Sequence, residues 1–151
     1  MNERQCLRVA FGMENDTTLI DSHYGDSNFF AIYEISDLLP TLKGEAFKRK
    51  KITLIEKRYN KAKGFKEDDN RHGDPRKFKA VISQLLDIDV LAAFRMGPNF
   101  LRIRDKTNKV PFFTKTRDLN LSLHRIVENF DELWNQVQTK KKEKNNGIPE
   151  S

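Results

Sequence analysis

The feature that most constrains the fold is an uninterrupted apolar run, Val90–Phe94, between two segments with helical patterns. A short run without polar alternation is typical of a strand that is covered on both faces. Asp74-Pro75, ahead of the run, is a typical helix start. Apolar residues then follow at spacings of three and four: Phe78, Val81, Ile82, Leu85 and Leu86. After the run, Gly97-Pro98 opens a second helix that is predicted to end near Lys106.

The first half of the chain is richer in strand patterns. Strands are predicted at Leu7–Phe11, Thr17–Ile20, Asn28–Ile35 and Ile52–Tyr59. Val110–Thr114 adds another strand, and Pro111 predicts that it lies at a sheet edge. Short turns allow antiparallel pairing, whereas helical connections favour parallel pairing. The prediction is therefore a single α/β domain with helices packed on a mixed sheet.

The end of the chain changes in character. Apolar residues at helical spacing from Leu123 to Val137 predict one long final helix. From Lys140 onward the sequence is rich in Lys and Asn, so we expect residues 139–151 to form a disordered basic tail. Residues 1–138 then form the domain, close to the usual size of about 150 residues.

Composition excludes several classes of protein. No apolar run exceeds five residues, which argues against a transmembrane helix or a signal-peptide core and predicts a soluble, cytoplasmic protein. Cys6 is the only cysteine, so an internal disulfide and a four-cysteine zinc site are excluded. The glycine-rich phosphate loops and the common hydrolase and metalloprotease motifs are absent, and we expect a protein that is not an enzyme.

Positive charge is concentrated in one segment. The net charge is +6, and residues 43–66 carry ten Lys or Arg against Glu45 and Glu56. Such a segment attracts anions, which include nucleic acid, phosphates and anionic cofactors. The alternative is a solvated, Lys-rich strand and loop that keeps a sheet edge soluble.

Two of the three histidines lie in loops that could bind a ligand. His23 is followed by Tyr24-Gly25, where a glycine permits close backbone approach, and imidazole is a good ligand for iron, copper and zinc. Arg71 and His72 stand just before the helix start at Asp74, where anions are favoured. The alternatives are a histidine that bonds only its own loop and a chance histidine in a linker. His124 lies within the final helix and is predicted to be a surface residue.

The turn after the apolar run is a third candidate. Arg95 and Met96 offer a cation and a soft thioether immediately before Gly97-Pro98. Ligands usually bind at the carboxyl ends of strands in open α/β sheets, which is where this turn is expected. The alternative is that the turn only caps the following helix.

Together these segments resemble the dinitrogenase iron–molybdenum cofactor biosynthesis family, the domain of NifX, NifY and the C-terminal part of NifB. The resemblance begins with Leu7–Phe11, a Ser-His-aromatic-Gly loop at residues 22–25 and the aromatic strand Phe29–Ile35. It continues with Lys79–Ala93, the Gly-Pro turn and Val110–Phe113, and it covers about residues 6–137. Tyr24 stands where the family usually has Phe, and Asp26 where it commonly has Arg.

The resemblance implies a ribonuclease-H-like, three-layer α/β/α fold with a mixed five-stranded sheet. It implies a carrier for an iron–molybdenum or other metal–sulfur cluster. The expected partners are cofactor-assembly proteins, and no association with a membrane is expected. The predicted binding residues are His23, Tyr24, Gly25, Arg71, His72, Arg95, Met96 and Gly97, with His23 and His72 as the metal ligands. The alternative function is a basic module that binds nucleic acid or protein. Nuclease activity is not expected, because the first strand, Leu7–Phe11, contains no carboxylate.

Overall fold

A computed structural model describes residues 5–38, 49–63, 75–95, 97 and 99–145. These residues form five strands: β1 (Cys6–Met13), β2 (Phe29–Leu38), β3 (Arg49–Tyr59), β4 (Val90–Ala93) and β5 (Val110–Phe113). They also form four helices: α1 (Pro75–Ser83), α2 (Asn99–Lys106), α3 (Leu119–Glu128) and α4 (Phe130–Asn145). A single 3-10 turn, Tyr24–Asp26, lies between β1 and β2.

The strands form one mixed sheet in the order β3-β2-β1-β4-β5. β2 pairs antiparallel with β1 and β3, whereas β4 pairs parallel with β1 and β5. The predicted α/β fold with a mixed five-stranded sheet is confirmed. Pro111 lies in an edge strand as predicted, and all four residues of β4 are buried.

The parallel strands give the sheet two distinct ends. The end at which β1, β4 and β5 finish is called the carboxyl end, and the opposite one the amino end. Met13 pairs with Phe29, and Phe29 pairs with Tyr59, so β2 also begins and β3 also ends at the carboxyl end. The β1–β2 connection and the turn from β4 into α2 therefore meet there.

Helices cover both faces of the sheet. Alternate residues of a strand point to opposite faces, so β1 serves both cores. Leu7, Val9 and Phe11 pack with α3 and α4, whereas Ala10 packs in a second core with α1 and α2. Each fully buried aliphatic or aromatic side chain contributes about 1.5–3 kcal/mol to stability. Packing in the two cores fixes the ends of the strands, and it thereby fixes where the loops at the carboxyl end begin and end.

Helix α1 differs from its prediction at one end. Val81 and Leu85 are buried as the periodicity predicts, but Leu86 is 74% exposed. The helix ends at Ser83, so the spacing of 3.6 residues per turn no longer sets the direction of Leu86.

The end of the chain corrects two further predictions. The single final helix is interrupted at Asn129, whose side-chain Nδ2 donates a hydrogen bond of 2.7 Å to the Arg125 carbonyl. α4 then continues to Asn145, so the predicted disorder is wrong for residues 139–145. The Lys140 ammonium donates to carbonyls at the end of α2, which fixes this part of α4 in place. Residues 146–151 lie outside the described residues.

The strand boundaries also differ from the sequence pattern. Thr17–Ile20 forms only isolated bridges, Met13 with Leu19 and Thr18 with Asp118, and not a strand. β2 and β3 extend into the predicted connection at residues 36–50, because their ladder continues to the pair Leu38 and Arg49. Within the described residues, no helix has both the length and the apolar composition needed to cross a membrane.

Candidate functional site

The carboxyl end of the sheet brings two of the predicted site segments into contact. His23 lies in the β1–β2 connection, and Gly97 lies in the turn from β4 into α2. β1 and β4 are parallel neighbours, so both segments leave the sheet at the same end. This is where ligands usually bind in an open α/β sheet.

The contact between these segments depends on the backbone of Gly97. Its φ is +63°, and a Cβ atom at this position would lie 2.8 Å from His23 Cδ2 and 2.9 Å from His23 Nε2. A side chain at position 97 would be strained by the φ angle and would also collide with the imidazole. Glycine thus lets the turn approach the His23 ring, which is half-buried.

An ion pair ties the same two segments together. Arg95 Nε donates to Asp21 Oδ1 at 2.9 Å, and the two side chains are 63% and 45% exposed. The Arg95 guanidinium also lies 5.6 Å from the centre of the Phe94 ring. Asp21 was not among the predicted site residues, because its partner is 74 positions away in the chain.

A second ion pair joins the His23 loop to α1. Lys77, in the first turn of α1, is only 8% exposed and pairs with Asp26. Ser22 Oγ donates to the other oxygen of Asp26 at 3.1 Å. Partial burial disfavours the charged carboxylate, but the hydrogen bond and charge of Lys77 outweigh it, and the pKa of Asp26 is lowered.

Tyr24 and Gly25 support this loop from the core side. The Tyr24 hydroxyl donates to the Ala10 carbonyl at 2.7 Å, and burial raises the pKa of Tyr24 well above its usual value. The Tyr24 side chain is therefore part of the core, with its hydroxyl engaged by the backbone. Gly25 packs closely on α1, where a Cβ would lie 3.3 Å from Lys77 Cε.

Asn60 is a further loop-holding residue that the sequence analysis missed. It is buried just after β3, and its Nδ2 donates to the carbonyls of Gly25 and Ser27, each at 2.9 Å. An isolated asparagine in a polar stretch gives no sequence signal for this role. The remaining predicted site residues, Arg71, His72 and Met96, lie outside the described residues.

The donor atoms in the described part of the chain limit how a metal could be held. No group of three or more His, Cys, Asp or Glu side chains forms a metal site among these residues. Cys6 begins β1 and pairs with Ser36, so it lies at the amino end, away from His23. Burial and the neighbouring Glu34 raise the pKa of the Cys6 thiol, which disfavours a metal-binding thiolate. A metal–sulfur cluster at the carboxyl end would thus contact the His23 imidazole and the Arg95 guanidinium but not the Cys6 thiol.

Acidic residues pair with at least three of the seven Lys and Arg side chains in the described part of the basic segment. Arg58 forms a two-point contact with Asp87, with both distances 2.7 Å, and this contact lowers the pKa of Asp87. Lys50 pairs with Asp37, and Lys57 pairs with Asp16. Residues 43–48 and 64–66 of this segment lie outside the described residues.

Comparison with known proteins gives one family. The family model described as dinitrogenase iron-molybdenum cofactor matches residues 5–129. No curated protein matches the chain. The matched range includes all five strands, the His23 loop and the Gly97 turn, and it ends one residue before α4. The resemblance noted in the sequence is thereby confirmed, and the chain belongs to the dinitrogenase iron–molybdenum cofactor family.

Proposed function

We propose that this protein is a non-catalytic carrier that binds an iron–molybdenum-type or related metal–sulfur cluster at the carboxyl end of the sheet. The observation that carries the proposal is the contact between the His23 ring and the Gly97 backbone, which holds an imidazole where two loops meet. Membership of the cofactor family supports a role in the biosynthesis or binding of this kind of cargo.

The chemistry of the two segments suits an anionic cluster. Imidazole is a good ligand for iron, and the exposed guanidinium of Arg95, which is bonded to Asp21 in the His23 loop, supplies positive charge in the same two segments. Resident iron–sulfur clusters are usually held by four thiolates, whereas this chain has one cysteine. Attachment through few bonds fits a cargo that must be received and then passed on. The proposal therefore includes cofactor-assembly proteins as the partners that deliver and receive the cargo, and it places the protein in the cytoplasm.

The fold relationship is part of the same proposal. The strand order β3-β2-β1-β4-β5, with helices on both faces, supports a ribonuclease-H-like fold. Two-metal nucleases need clustered carboxylates, and β1 (Cys6–Met13) has none. The ion pairs along β3 also reduce the positive charge open to nucleic acid.

The experiment that tests the proposal is metal and acid-labile sulfide analysis, with visible spectra, on protein purified without oxygen. His23→Ala should lower cluster loading by about tenfold or more. Mutation of a residue that only hydrogen-bonds to a metal ligand already lowers metal affinity by about 10–100-fold, and loss of a ligand should cost at least as much. His124→Ala is the matched control, because His124 is exposed on α3 and far along the chain from this loop.

Two results would contradict the proposal in different ways. Equal loading in His23→Ala and in the unchanged protein would remove His23 from the site. A protein that holds no cluster after isolation, and takes up none when a cluster is supplied, would rule out the carrier function.

A further inference from the structure

We propose that Asp21 restrains Arg95 and so lowers the affinity of the cluster site for anions, an inference that rests on the proposed function. Among the residues that the structure describes, Arg95 is the exposed cation of the site, and its Nε donates a hydrogen bond to Asp21 Oδ1 at 2.9 Å. An anion that makes the two-point contact through Nε and an Nη of Arg95 must therefore replace the Asp21 carboxylate at Nε.

The two ion pairs of the site differ in how easily they can exchange partners. The Arg95 and Asp21 side chains are exposed, and such pairs are weak because water competes for both charges. The Lys77 side chain is largely buried, so separation from Asp26 would leave an ammonium group without its partner in the protein interior. Arg95 can thus exchange Asp21 for an anionic ligand, whereas Lys77 remains paired with Asp26.

The sequence positions place this exchange beside the imidazole. Asp21 is two residues before His23, and Arg95 is two residues before Gly97. Because His23 and Gly97 are in contact, an anion at the imidazole experiences both the guanidinium and the carboxylate. The guanidinium attracts the anion, and the carboxylate repels it while competing for the same donor.

This competition lowers the affinity of the site for anions. The ion pair must open whichever anion takes the Arg95 Nε donor, and the Asp21 carboxylate also repels that anion in proportion to its charge. A metal–sulfur anion with two or more negative charges therefore feels the full effect of Asp21. Asp21 is thus a residue that sets how tightly the site holds its anionic cargo, and it favours a cargo that can be released again.

The test measures the dissociation constant of tetrathiomolybdate, a divalent molybdenum–sulfur anion, by anaerobic visible titration. Asp21→Asn should tighten binding by about threefold to tenfold, as expected when an exposed competing ion pair is removed. Glu14→Gln is the matched control, because Glu14 lies in the same β1–β2 connection, is 47% exposed and pairs with Arg117 instead. This control should stay within about twofold of the unchanged protein.

A double-mutant cycle separates competition from general repulsion. Arg95→Gln should weaken binding, and Asp21→Asn should then give no further gain in the Arg95→Gln background. An equal gain in both backgrounds, or no gain in either, would overturn the role of Asp21. If the unchanged protein shows no saturable binding of tetrathiomolybdate, this inference fails, whereas the carrier function is judged separately by the cluster-loading experiment. Thermal melts of each variant confirm that it is folded.

Discussion

The two ends of the sheet use positive charge in different ways. At the amino end, Lys109 is 2% exposed, and its Nζ donates to the carbonyls of Ile88 at 2.7 Å and Leu86 at 3.2 Å. The Lys140 Nζ lies within hydrogen-bonding distance, 2.6–3.3 Å, of four carbonyls around the end of α2, among which its three N–H groups are shared. At the carboxyl end, Arg95 and Lys77 instead pair with side-chain carboxylates.

The difference shows which cations can serve a ligand. A backbone carbonyl is fixed by the chain, and the last carbonyls of a helix need donors from outside it. Lys109 and Lys140 therefore stabilise the fold and are not available to a ligand. A carboxylate on a side chain can rotate away, so an exposed pair such as Arg95 with Asp21 can open without disturbing the backbone.

The strongest test of this comparison removes a cation from the amino end. Lys109→Met should lower the free energy of unfolding by about 2–4 kcal/mol, because it removes the ammonium donor from the buried Ile88 carbonyl and from the partly buried Leu86 carbonyl. Urea denaturation followed by circular dichroism measures the change. Lys106→Met, an exposed change at the end of α2, should alter stability by about 0.5 kcal/mol or less. A Lys109→Met variant as stable as this control would break the comparison.

A smaller effect is expected from the backbone of the carboxyl end. Gly97→Ala should cost about 1–2 kcal/mol, because a non-glycine residue would be held at a φ of +63° against the His23 ring. Cluster loading should fall as the ring is displaced. Gly25→Ala should cost less stability, since its Cβ would meet the far end of the Lys77 side chain. If the two alanine variants are equally stable, the Gly97 turn is not tightly packed on His23.

The smallest expected effect concerns pH and the Asp26 carboxylate. The pKa of Asp26 lies below its ordinary value of 3.8, so its contribution is present above that value and is lost as pH falls through the lowered pKa. Between about pH 5 and about pH 2.5, the unchanged protein should lose about 0.5–1 kcal/mol more stability than Asp26→Asn. This figure allows for solvent screening, since the Asp26 side chain is 41% exposed.

Acid unfolding curves of the two proteins make this measurement. Asp131→Asn, which removes an exposed carboxylate on α4, is the control and should follow the unchanged protein. Parallel curves for Asp26→Asn and the unchanged protein would show that Lys77 does not hold the carboxylate in its charged form.

The sequence predicts the elements that depend on local pattern. The run at Val90–Phe94 became β4, Pro111 marked an edge strand, and Asp74-Pro75 marked the start of α1. His23 and Gly97 were both proposed from their neighbours in sequence. Their contact was not foreseen, because it depends on the parallel pairing of β1 with β4.

Long-range polar contacts account for most of what was missed. Lys109 and Lys140 look like ordinary surface lysines in the sequence, yet their carbonyl partners lie at least 21 positions away. The sequence does not show that the positive charge of β3 is partly neutralised, because Asp87, the partner of Arg58, lies 29 positions away in the chain. The break at Asn129 was hidden because the apolar spacing continues through it from Ile126 to Leu133.

The position of Cys6 makes the protein suited to site-specific labelling. Cys6 is the only thiol of the chain, and β1 separates it from the carboxyl end by about 23 Å. A thiol-reactive fluorophore or spin label attached there would report on cargo arrival without displacing a residue of the site. Because the pKa of the thiol is raised, coupling is slow at neutral pH and proceeds better in mildly alkaline buffer.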